Sequence, residues 1–319
     1  MSWQRLCPVI AGLSLIGGCA NHIGAVLTDL ERHETPIELT NVPFHAQVTD
    51  QCGPAALASI LGSSGVAASP DELRSRIYIP GRKGTLQLEI LAAARQYGRL
   101  AYVIEGNIDS MLAELQSGNP VLVLQNLASK FRPVWHYAVV VGYLPDEHQF
   151  VLRSGDRERY LAGAKSFLRS WQGGGYWAVI VLQPGDMPVH ADADKYLRTV
   201  AALESADVEG VAIASAYRAA VDRWPTHPLG WLGLGNAAYS DGDLQVARQA
   251  YRTSLDIQPN NLIAVNNLAQ VNAELGCLDR AQELIATALS AADTADPTYR
   301  FLNATRNEIE DLRHPTQCL

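Results

Sequence analysis

The chain has 319 residues, 48% of them apolar and 18% charged, with a formal net charge of −8. The apolar fraction excludes global disorder, and the length fits about two domains. The acidic balance argues against nucleic acid as a partner, since phosphate binding needs a basic surface, and five cysteines at this length do not make a disulfide scaffold.

Residues 1–18 carry one charge, Arg5, followed by an apolar run from Pro8 to Ile16. A basic start, a short apolar run and small residues before a cut site describe a secretory signal. The run ends in Leu15-Ile16-Gly17-Gly18-Cys19. This ending resembles the bacterial lipobox. The resemblance implies removal of residues 1–18 and lipidation of Cys19, with the acyl chains anchoring the protein in a membrane. Ala20 in place of Asp after the cysteine implies the periplasmic face of the outer membrane. Residues 19–39 are then expected as a polar tether, and Cys7 leaves with the signal.

Strong organisation begins at Val42 and leads through Gln47 to Cys52-Gly53-Pro54. The small apolar run from Ala55 to Leu61 predicts a buried helix, and Pro54 suits its first turn. Cys52 therefore sits at or just before a helix N-terminus. There the unpaired N–H groups and the helix dipole favour thiolate, which is the nucleophilic form. Gly53 is expected to let the backbone approach whatever the thiolate attacks. The plainer reading is a buried structural cysteine.

Ser69-Pro70-Asp71-Glu72 predicts a capped helix start. A further helix is expected over 86–97, ended by Gly98, and a strand over 101–104. Residues 108–116 read as a helix closed by Gly118, and 121–125 as a strand after Pro120. His136 heads the β-rich run Tyr137–Val141, which Gly142 is expected to end. The next strand is expected over 149–153, followed by Ser154-Gly155-Asp156.

Gln47 five residues before Cys52, the run Cys52-Gly53-Pro54-Ala55-Ala56, and His136-Tyr137 ahead of an apolar strand resemble the bacteriocin-processing cysteine peptidases of family 39. The resemblance covers residues 40–184 and follows the papain-like order. It implies an α+β fold and peptide-bond hydrolysis. Cys52 would be the nucleophile and His136 the general base, then the acid for the leaving amine. Gln47 and the Cys52 backbone N–H would bind the oxyanion. The third member, which orients the imidazole, is expected at Asp156, with Ser154 at the strand end or no residue as alternatives. Many such peptidases are fused to transporters, whereas this chain shows no Walker-type loop and no transmembrane stretch.

Gly173-Gly174-Gly175 predicts a turn before a last strand over 176–182, and Pro184–Pro188 breaks structure. The domain is expected to end at residue 184, with a linker over 185–194. From residue 195 the chain repeats at an offset of about 34 residues. The central copy, 228–261, carries Trp231, Leu234-Gly235, Ala238-Tyr239, Gly242, Ala247, Tyr251 and Pro259. A second copy, 262–295, keeps Leu268, Ala269, Gly276 and Ala281, and a weaker earlier one keeps Tyr217, Ala220 and Pro225. The spacing matches the tetratricopeptide pattern of stacked helix pairs, with 301–312 as a capping helix. Trp224, Trp231 and Tyr251 are expected in its core. Such arrays resemble scaffolds that bind a protein partner; a partnerless stalk is the plainer reading. Cys277 and Cys318 are candidates for a disulfide. The eight histidines are dispersed, so neither a metal nor a cofactor is expected.

These features predict a lipid-anchored envelope cysteine peptidase acting on a peptide or protein substrate. A peptidase-like scaffold that holds peptides without cutting is the alternative, and acyl transfer through the same thioester is a narrower one.

Overall fold

The computed structural model describes residues 18–47, 51–82, 84–206, 213–295 and 297–312, with side chains from residue 23 onward. Residues 1–17 of the expected signal and Cys318 lie outside these residues.

Seven strands form one antiparallel sheet: β1 (Ile37–Glu38), β2 (Leu100–Val103), β3 (Val121–Asn126), β4 (Trp135–Leu144), β5 (Gln149–Ser154), β6 (Arg157–Gly163) and β7 (Ala178–Leu182). Their order is β2-β7-β3-β4-β5-β6, and β1 also pairs with β4. The central strands read as unbroken apolar runs because both faces of the sheet are covered. On one face Leu122, Leu124, Val139, Val141 and Val151 meet α2 (Cys52–Ser63), α3 (Pro70–Ile77) and α4 (Gln87–Gln96). On the other, Val121, Val123, Ala138, Val140, Phe150 and Leu152 meet α1 (Gly18–Leu30), α5 (Ile108–Gln116) and α6 (Ala164–Gly173). Helix starts follow the local chemistry: Ser69 accepts from the Glu72 N–H at 3.2 Å and Asn107 from the Ser110 N–H at 2.8 Å.

Several expectations need correction. Residues 19–39 are no tether. α1 buries Ile23 and Leu30 in the core, and β1 adds to the sheet. Their apolar residues are sparse but regularly spaced, which is enough for one packed face. Gly142 does not end β4; the strand runs through it to Leu144. A side chain at Gly142 would collide with the Ile37 carbonyl, so the glycine is where β1 crosses close. Residues 157–172, unassigned from sequence, form β6 and α6, and α6 takes in Gly173, which the sequence predicts in the turn. The linker is pinned as well. Val189 N–H donates to Glu114 at 2.8 Å and Asp192 N–H to the Tyr102 hydroxyl at 3.1 Å. Burial raises the Glu114 carboxyl above its usual range, against the bonds from Asn119 and Val189 that lower it.

The helical region comprises α7 (Ala193–Glu204), α8 (Ile213–Arg223), α9 (Pro228–Ser240), α10 (Leu244–Ile257), α11 (Leu262–Glu274), α12 (Leu278–Ala291) and α13 (Pro297–Asp311). In the central copy, a side chain at Gly235 would enter the Tyr251 ring. The Leu-Gly of the repeat thus serves the facing aromatic: Tyr251 is fully buried, and its hydroxyl donates to Asn236 at 2.9 Å. Trp224 and Trp231 are half-buried and pack at the edge of the core. Cys277 is disulfide-bonded.

Candidate active site

Cys52 is the first residue of α2, as the sequence predicts, and is half-buried. The rest of the helix is too apolar to sit anywhere but against the sheet: Ala55, Ala56, Leu57, Ala58, Ile60 and Leu61 are all buried. The thiol is therefore fixed at the end of a packed helix whose first turn holds no acidic residue. Gly53 has a close neighbour within the protein: a Cβ there would lie 2.7 Å from Thr85 Cβ and Oγ1, in the segment before α4.

His136 lies near the start of β4, opposite Gln125 of β3, and is half-buried. Its Nε2 is 2.8 Å from Ser154 Oγ at the end of β5. Asp156 does not take this place. The β4–β5 register, continued beyond Val139↔Arg153, would set Asp156 opposite His136. The chain instead turns at Gly155 (φ 64°) to start β6 at Arg157. Asp156 is left at the turn with its side chain 88% exposed and 4.0 Å from Arg157. Burial holds the His136 imidazole below its usual range. A histidine paired with a neutral hydroxyl gains no charge to offset that desolvation.

Gln47 is tied to the same turn: its backbone N–H donates to the Gly155 carbonyl at 2.9 Å. Its side-chain amide donates to the Tyr137 carbonyl at 3.4 Å, a long and weak bond. Tyr137 points to the opposite side of β4 from Ala138 and stands among the residues packed with α2. Its hydroxyl donates to the Thr85 carbonyl at 3.2 Å. Burial first, then the charge of the Cys52 thiolate, push the Tyr137 phenol well above its usual range. Gln47, Cys52, Thr85, His136 and Gly174 all line one open cleft of about 1360 Å³. Asp156 reaches its rim.

The structure thus places Gln47, Cys52 and His136 on one cleft and adds Ser154, the alternative third residue, on the imidazole. Sequence reasoning missed Thr85; the Gly53 beside the cysteine was its only trace. Among the described residues, no group of three or more His, Cys, Asp or Glu side chains could hold a metal, and no helix is long and apolar enough to cross a membrane.

Residues 39–178 match the Peptidase_C39 like family, and residues 228–261 match the tetratricopeptide repeat. No curated protein matches the chain. Among solved structures, a C39-like peptidase from Bacillus anthracis aligns at 18% identity and a TM-score of 0.38, covering 47% of this chain and 98% of its own. The peptidase domain of Streptococcus ComA, a bi-functional ABC transporter involved in a quorum sensing pathway, aligns at 24% identity and a TM-score of 0.37, covering 44% of this chain and 98% of its own. The chain joins a C39-like peptidase domain to a tetratricopeptide-repeat region.

Proposed function

We propose that this protein is a membrane-anchored cysteine peptidase, with the repeats recruiting its substrate or a protein partner. One juxtaposition carries the reading: Cys52 opens a buried helix on the cleft that His136 also lines, with Ser154 Oγ 2.8 Å from the His136 Nε2. In the active tautomer Nε2–H donates to Ser154. That leaves Nδ1 as the base for the thiol proton. The thiolate attacks the peptide carbonyl, and the imidazolium returns the proton to the leaving amine. Water then hydrolyses the thioester with His136 as base again. The Cys52 N–H and the Gln47 amide stabilise the oxyanion. The amide is free to do so because its bond to Tyr137 is long.

The membrane anchor is part of the proposal and draws on the lipobox-like run ending at Cys19. α1 begins at Gly18, so an acyl chain on Cys19 would hold the peptidase domain close to the bilayer. Changing Cys19 to Ala is expected to move the protein from the detergent-extracted to the soluble cell fraction. Unchanged partition would end that part.

The catalytic part is tested with Cys52→Ala. The wild type is expected to hydrolyse peptides and to take up an iodoacetamide probe at Cys52. The variant should do neither while keeping its circular dichroism spectrum; turnover by folded Cys52→Ala would refute the assignment. A second reading, a domain that holds peptides without cutting them, draws on the neutral partner of His136. It predicts peptide binding by the wild type with no hydrolysis.

A further inference from the structure

Arg153 is 5% exposed, and among the described residues its side-chain hydrogen bonds go to main-chain carbonyls; the Glu38 carboxylate acts on it only through space. Its guanidinium Nε donates to the carbonyl of Val42 at 3.2 Å, Nη1 to that of Glu158 at 2.6 Å and, by a long and weak bond, Nη2 to that of Thr40 at 3.4 Å. A buried cation is costly unless its donors find partners, so this arrangement constrains the Thr40–Val42 segment and the β5–β6 hairpin together.

Each of those segments leads to the cleft. Thr40 and Val42 precede Gln47 and Cys52 in the chain. Pro43 lies against α2, where a Cβ on Gly62 would come within 2.7 Å of Pro43 Cγ. Glu158 sits where β5 and β6 fall out of step. Leu152 pairs with Tyr160 and Ser154 with Arg157, so Arg153 alone faces both Glu158 and Arg159. The bond to the Glu158 carbonyl satisfies the bulged strand. The next residue, Ser154, carries the hydroxyl on His136.

We infer that Arg153 is a positioning residue for the cleft: it clamps the segment that carries Gln47 and Cys52 to the hairpin that carries Ser154, and so fixes His136 relative to the thiol. The inference rests on the peptidase reading above. The contacts run from Gly62, near the C-terminal end of α2, through Pro43 and Val42 to Arg153, Ser154 and His136. Lysine cannot replace the clamp, because one ammonium cannot span three carbonyls held in a fork.

The test compares wild type, Arg153→Lys and Arg153→Gln by thermal melting and by the rate of Cys52 alkylation with iodoacetamide across pH. A variant that melts cooperatively should alkylate about tenfold more slowly at neutral pH, because a small misplacement of paired groups is expensive. Its pH profile should move toward that of an ordinary thiol. In a Ser154→Ala background the same change should have little further effect, since both residues act on His136. A folded variant with the wild-type profile, an additive double variant, or failure of both variants to fold would each overturn the inference. A wild-type profile unchanged by His136→Ala would instead remove the Cys52–His136 pairing, which is the failure of the peptidase reading and not of the clamp.

Discussion

Placing a carboxylate where Ser154 stands tests whether this contact governs the imidazole. Ser154→Asp would put an anion against His136 Nε2, where the hydroxyl oxygen now sits at 2.8 Å. At a charge separation of about 4 Å and an effective dielectric of about 20, the attraction to the imidazolium is about 4 kcal/mol. Desolvating the new carboxylate in this half-buried site takes back part of that. A rise of about 1–2 units in the imidazole pKa is the expected remainder. The sign follows from the wild-type state: burial now holds His136 below its usual range, so the uncharged imidazole is favoured. With Asp, the imidazolium persists to higher pH and draws the Cys52 proton off at lower pH. The assay is the rate of Cys52 alkylation by iodoacetamide between about pH 4 and pH 9, a range that spans the ordinary His and Cys values. The variant should react faster than wild type near pH 6, and the pH limb set by the imidazole should move upward. If neither limb moves in a folded Ser154→Asp protein, the contact does not control the base.

Two further outcomes follow from the same site. Gly53→Ala would place a methyl 2.7 Å from the Thr85 Cβ, and overpacking of this kind costs about 1–3 kcal/mol; a lowered Tm with slower Cys52 alkylation is expected, and an unchanged Tm would mean that Thr85 yields without strain. His136 has a depressed folded pKa, so its contribution to stability is complete above about pH 6.5 and is lost as pH falls through the folded value. Urea unfolding of His136→Gln beside wild type should show the difference between them changing over that acidic range and constant above it; a difference that changes only at alkaline pH would contradict the assignment.

Much of this was legible in the sequence because period and punctuation are local. The helix at Cys52, the strand after His136 and the 34-residue offset of the repeats all follow from patterns within one element. What escaped depends on contacts between distant segments. Gly142 looked like a strand end because a glycine often is one, and only the crossing of β1 gives it a reason to sit inside β4. Asp156 looked suitable because an extended strand would keep it on the face of His136. Whether β5 continues or turns is decided at Gly155, and with the turn the hydroxyl one residue earlier becomes the partner. α1 and β1 escaped for a related reason: their few apolar side chains acquire meaning only against a sheet built from residues further along the chain.

The same non-local packing changes what the repeats can do. A flexible linker would make recruitment a matter of effective concentration, set by its length. Here Tyr196, Leu197, Val200 and Leu203 of α7, with Ala216 and Ala220 of α8, belong to the core that includes Leu100, Tyr102 and Ile180 of the sheet. Leu234 and Ala237 of α9 extend that core into the matched repeat. The Tyr196 hydroxyl donates to the Asp186 carbonyl at 3.2 Å, which ties the connecting segment to α7. Swinging the repeats away from the sheet would expose these apolar side chains at a cost of about 1.5–3 kcal/mol for each fully buried one. Under the proposed recruiting role, a partner held on the repeats would therefore meet the peptidase domain in a fixed orientation, and selection would act through that geometry and not through reach.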